Sequence, residues 1–134
     1  MSVEAQLVET LNNHVGFDTL VANRVYPLVL PPVPLLPAVT YQRISGRRVH
    51  AIGSSSFLAA PRIQFTVWAA TYAAAKAVAD ELRAALDGVQ GSLNDYDDPD
   101  AMWMGQLVND LDDYEPTTGR YRVIVDLVVT HDEV

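Results

Sequence analysis

Three histidines, His14, His50 and His131, are the side chains of widest chemical range in this sequence, and their placing argues against a shared task. They fall at a helix end, in a loop and near the C-terminus, with no spacing that would bring two of them to one metal ion. The chain has no cysteine, so thiolate nucleophiles, disulfides and thiolate metal ligation are all unavailable, and no nucleophile elbow surrounds a serine. Asp95, Asp97, Asp98 and Asp100 form the densest carboxylate cluster, and hard cations do take several carboxylate oxygens. Pro99, however, occupies the fifth ligand position of an EF-hand pattern, and the glycine and distal glutamate of that pattern are missing, so the cluster reads as a solvated acidic loop. Gly46, Gly53 and the serines beside them fit neither phosphate-cradling glycine motif. Arg43, Arg47 and Arg48 have the chemistry to touch phosphate, but on an acidic chain they read as ion-pair donors. The residues imply no cofactor, no metal and no catalysis. The rival is a small hydrolase using a serine or aspartate with one histidine, which loss of activity on substituting each histidine would reveal.

A chain of 134 residues is the size of one domain, 1–134, with one core and no staples. Hydrophobic residues make up 49% and charged residues 19%, with mean hydropathy +0.08, which excludes a disordered protein and is apolar for a monomer of this size. A net charge of -8 opposes general binding to nucleic-acid phosphates. No apolar run approaches the roughly 20 residues of a membrane span. The N-terminus carries Glu4 and Glu9 before its first basic residue, Arg24, unlike a signal peptide, so a soluble, unsecreted protein with no membrane partner is expected. Charge is also divided along the sequence. Between Thr19 and Ala79 there are six basic residues and no acid, whereas Asp87 to Glu115 holds nine acids and no Lys or Arg. Either folding pairs the two blocks within one subunit, or they face different neighbours.

The elements that must position these groups follow from periodicity. Ser2 is an N-cap for an amphipathic helix over 2–14, carrying Val3, Leu7, Val8 and Leu11, with Gly16 as its stop. Pro27 to Pro37 holds five of the eight prolines and reads as an extended arm whose Leu28, Val29, Leu30, Val33, Leu35 and Leu36 need apolar cover from their own domain or a neighbour. Residues 38–45 read as a strand, 46–60 as a flexible loop, and 62–69 as a half-buried strand with Ile63, Phe65, Val67 and Ala69 inward. Thr71 caps a helix over 71–87 whose stripe is Ala74, Ala77, Val78, Ala79, Leu82, Ala85 and Leu86, ended by Gly88. Residues 91–100 are turn material, Met102 to Leu111 a strand apolar on both faces, and Arg120 to Thr130 a strand with Tyr121, Val123, Val125, Leu127 and Val129 inward. Pro116 to Gly119 turns the last two strands into a hairpin. The expected fold is therefore α+β, a four-stranded antiparallel or mixed sheet packed against two helices, with Phe65, Val67, Val78, Leu82, Val123, Val125 and Leu127 as core. Trp68, Ile124 and Val128 make the second sheet face more apolar than solvent requires, which points to a partner.

In order along the chain, NRVYP at 23–27, LPAVTYQRISG at 36–46, RIQFTVWAATYAAAKAVADELRAAL at 62–86 and YEPTTGRYRVIVDLVV at 114–129 resemble the bacteriophage tail terminator or tail completion (head-tail joining) family. The resemblance implies a non-catalytic virion protein at the tail and neck. Such a subunit forms a hexameric ring on the last ring of the tail tube, ends its polymerisation and faces the head-tail connector or stopper, while DNA passes without specific binding. A head-completion stopper on the portal side is the alternative. In such a ring, Arg43, Arg47 or Arg48 is expected to meet Asp110, Asp112 and Asp113 of the next subunit, with Leu30, Val33 and Leu35 also in the interface. Asp95, Asp97, Asp98 and Asp100 are expected to line the channel.

Overall fold

The Ser2 hydroxyl accepts from the Ala5 N–H and opens α1 (Val3–Asn13), which buries Val3, Leu7 and Leu11 as their spacing predicts. This is seen in a computed structural model of the chain that describes residues 2–46, 48–51, 54–92 and 100–132. The helix does not stop at Gly16. It breaks at His14, whose backbone is extended, and a second helix, α2 (Val15–Val21), starts at once and buries Phe17 and Val21. Gly16 thus lies inside the second helix rather than ending the first, and a Cβ there would displace the movable end of the Glu81 side chain.

β1 (Val25–Pro27) runs parallel to β2 (Ala38–Ser45), which pairs antiparallel with β5 (Arg62–Ala69). The segment expected to be a flexible loop instead holds the hairpin β3 (Arg48–Ala51) and β4 (Ser54–Ala59). Ser45 opposite Arg62 and Arg48 opposite Ala59 keep one register, so β3 prolongs the line of β2 and β4 that of β5. Pro61 interrupts the second line, and its carbonyl still accepts from the Val129 N–H at 3.0 Å. Pairing with neighbours overrides the loop-like Gly and Ser composition of this stretch.

Thr71 caps α3 (Tyr72–Leu86), and Gly88, at φ +70°, follows its end. The helix buries Ala75, Val78, Ala79, Leu82, Ala85 and Leu86. Ala77 of the expected stripe is exposed and Ala75 takes its place, because the stripe's centre line runs through Ala75, Val78 and Leu82. After β6 (Gln90–Ser92), β7 (Met102–Glu115) and β8 (Arg120–Asp132) form the expected hairpin, with β7 four residues longer than the alternation implied.

Eight strand segments thus lie on six lines, β1, β2–β3, β4–β5, β8, β7 and β6, all antiparallel except the β1–β2 pair. The expected four long strands form the middle of this sheet, and two short edge strands and a third helix complete it. α3 lies across β5, β8 and β7, with α1 and α2 packed on α3. Phe65, Val67, Val78, Leu82, Val123, Val125 and Leu127 are all within 1% of full burial, so the expected core is the observed one. The proline-rich stretch is not a free-standing arm. Residues 28–37 connect the two parallel strands and are tied down where Leu28 N–H donates to Tyr41 O and Arg24 Nε donates to Pro37 O.

Candidate assembly surfaces

β7 is the element whose local structure decides what the sheet presents. From Trp103 to Leu107 its odd-numbered residues face the core, opposite His131, Val129 and Leu127. Val108 is then bulged out of the ladder, and Asn109 pairs with Asp126. One extra residue reverses the alternation, so beyond the bulge the even-numbered Asp110, Asp112 and Tyr114 lie on the helix side. This explains the apolar residues on both faces of the sequence here.

On the helix side the reversed half of β7 meets the charged rim of α3. Arg83 donates to Asp110 at 2.8 Å, Lys76 bonds Asp112 at 3.2 Å, and the Tyr72 hydroxyl donates to the same carboxylate at 2.5 Å. The Tyr72 hydrogen bond, with Lys76 adding to it, holds the Asp112 carboxyl below its ordinary pKa. The same bond pushes the Tyr72 phenol up. Tyr114 stacks at a tilt on Tyr121, 4.8 Å between ring centres, and Tyr121 on Tyr72. On the outer face Asp113 pairs with Arg122, and its carboxyl is lowered by the Tyr114 N–H and then by that guanidinium. Arg122 lies over the Trp68 ring, and buried Asp126 accepts from Arg62 and Gln64. Trp68, Ile124 and Val128 are half-buried there, so the second face is part apolar and part a closed polar network.

The three acids expected at a subunit boundary therefore each have a partner in their own subunit, and Arg43 pairs with Glu4. Among the described residues only Lys76 with Asp112 joins the two charge blocks; Arg62, Arg83 and Arg122 find or supply charge outside them. Arg47, Asp95, Asp97 and Asp98 lie outside the described residues, as does the Arg48 side chain, while Asp100 is exposed. Leu30 is half-buried, and Val33 and Leu35 are exposed.

What the sequence did not single out is how the exposed apolar side chains are grouped. Nine of the thirteen large ones among the described residues fall in two places. Leu28, Val29, Val33 and Leu35 stand on the β1–β2 connection, and Met102, Met104, Val108, Leu111 and Tyr114 on β7. The sheet order puts these at its opposite edges. From Val108 onward the outer edge of β7 has no strand partner among the described residues. The period-2 conflict within 102–111 was the signal for the second group.

No chemical centre accompanies these surfaces. His14 Nε2 bonds Glu81 at 3.0 Å, the His131 ring bonds the Asp132 carbonyl, and the His50 side chain is outside the described residues. No group of three or more His, Cys, Asp or Glu among the described residues could hold a metal ion. No helix among the described residues is long and apolar enough to cross a membrane.

A family model described as Tail completion protein gp17 matches residues 5–132. Of the solved structures, fifteen chains match; one is from the virion of a native gene transfer agent particle, with TM-score 0.76 at 17% identity, covering 98% of this chain and 95% of that one. That likeness is one of fold. No curated protein matches the sequence.

Proposed function

The chain belongs to the tail completion protein family, structural components of the phage virion's tail, and from that premise we propose that it assembles as a ring, hexameric by family resemblance, at the head-proximal end of the tail. There it ends tail-tube polymerisation and joins the tail to the head connector. The family match over residues 5–132 carries this reading, because it spans nearly the whole chain. The surface chemistry supports it: apolar groups collect at two sheet edges rather than around a cleft, as suits a subunit that works in contact. The role needs neither cofactor nor catalysis. Its partners are other copies of itself, the tail tube protein and the connector or stopper, while DNA passes through the centre. Asp95, Asp97, Asp98 and Asp100 are proposed to line that channel, where their charge keeps DNA from adhering.

Arg43, Arg47 or Arg48 is proposed to reach the block Asp110, Asp112 and Asp113 of the next subunit by sharing carboxylates that already hold one partner. Asp110, with its side chain 52% exposed, keeps free lone pairs for this. Exposed pairs contribute about 0–1 kcal/mol each, so they would set orientation more than affinity. The test of function is elongation of purified tail tubes. Addition of the protein should arrest growth at one end at substoichiometric amounts. Binding to portal-side complexes with no effect on tube length would establish the stopper role instead.

A further inference from the structure

We propose that the proline-rich connection at 28–35 of one subunit packs on the outer, bulged half of β7 of the next, so that these two apolar surfaces cover each other around the ring. This rests on the ring reading above and adds to it which surfaces meet.

Three observations carry the proposal. The first is placement: a ring closes through a heterologous contact, which joins two different patches of one subunit, and the two apolar groups lie at opposite edges of one sheet. A patch that matched itself would instead give a closed two-fold dimer. The second is the kind of surface. Pro31, Pro32 and Pro34 have no N–H to offer a β-ladder and hold the chain stiff, so the segment suits side-chain packing on a sheet face and loses little freedom on docking. Val33, 92% exposed, is its most exposed apolar side chain, and Leu111, 56% exposed beside Ile124 on the outer face, is the site proposed for it on β7. The third is charge. At the base of the connection Arg24 donates only to the carbonyls of Leu20 and Pro37, and no carboxylate meets it among the described residues. Glu115, at the far end of β7, makes no ion pair among the described residues, although Arg120 stands opposite it in the ladder. Packing the connection on this half of β7 brings a cation that has no carboxylate partner toward the acidic end of the strand.

The chain has no cysteine, so Val33→Cys and Leu111→Cys each introduce a unique thiol into the 134-residue chain at an exposed position. The two single variants are mixed, assembled alone or on purified tail tubes, and treated with a short bis-maleimide. Sedimentation before the reagent is added reports the assembled state. The expected result is a linked pair in the mixture, almost none in either variant by itself, and in the double variant a ladder ending at the ring number. Rings that sediment normally but give no Val33→Cys to Leu111→Cys link overturn this contact and leave the ring standing. Links within a single variant, or links only to tube subunits, also overturn it. Subunits that remain monomeric, alone and on tubes, overturn both this contact and the ring.

Discussion

Gly105→Ala probes the joint between the end of α3 and β7, on which the placing of the exposed half of β7 depends. A Cβ at this position would stand 2.7 Å from the Leu86 carbonyl oxygen and 3.3 Å from Leu127 Cδ2. Neither neighbour has an easy escape, since Leu86 is backbone at the helix end. Gly105 is itself tied at 2.9 Å on both sides, its N–H donating to Val89 O and its C=O accepting from Gly88 N–H. The overlap must be relieved by separating helix end and strand, which costs about 1–3 kcal/mol on the scale of overpacked cores. With an unfolding entropy of about 2.1 cal/mol/K per residue, each kcal/mol lowers Tm by roughly 3–4 °C, so a fall of about 4–11 °C is expected. Thermal unfolding followed by circular dichroism, at one fixed protein concentration because assembly raises apparent stability, reads it directly. Gly88→Ala is the control: nothing lies within 4 Å of its added Cβ, and any loss there comes from the left-handed backbone. A Gly105→Ala protein that melts within about 1 °C of the parent would refute the close approach.

Leu82→Ala removes a side chain 1% exposed at the centre of the core and should cost about 2–5 kcal/mol in denaturant unfolding; a loss under about 0.5 kcal/mol would mean that another face of α3 meets the sheet. Arg62→Ala leaves Asp126 buried with Gln64 as its remaining side-chain partner and should cost about 1–3 kcal/mol, with Gln64→Ala costing less. Stability should also depend on pH at both ends. Asp112 and Asp113 are held below their ordinary value of 3.8, so the stability they contribute is complete above it and fades as pH falls through their lower folded values. Tyr72 is raised above 10.0, so its contribution is complete below that value and is lost as pH climbs through the higher folded one. Unfolding midpoints measured across pH should show an acid limb that Asp112→Asn reduces and an alkaline limb that Tyr72→Phe removes.

Where a single physical signal ruled a segment, its structure was legible in the sequence. Strand 62–69 and the helix read over 71–87 have clean periods and a capping threonine; the strand appears as read, and the helix spans Tyr72–Leu86 with Val78, Ala79, Leu82, Ala85 and Leu86 buried as expected but Ala75 in place of Ala77. Two competing signals produced the differences. Gly16 has the composition of a helix stop, yet it lies inside the second helix, against the Glu81 side chain from 65 residues away, a contact that no local pattern encodes. The serines at 54–56 look like loop, yet they lie in β4, where Ser54 and Ser55 pair with Ala51 and His50 of β3 and Leu58 and Ala59 pair with distant β8. The bulge at Val108 was visible only as a conflict of faces, because a one-residue reversal imitates a weak strand. On the candidate surfaces, the apolar character of the proline-rich stretch was legible and its exposure was not. The acids at 110–113 could be named from the sequence, but their partners on α3 and β8 required the fold.

The central claim is that this chain caps the tail tube as a ring, and electron microscopy of the purified protein mixed with purified tail tubes tests it most directly. The expected image is a single annular layer at one end of each tube, with tubes otherwise unchanged. Tubes whose two ends stay identical to those without the protein, while the added protein remains unbound, would contradict the account.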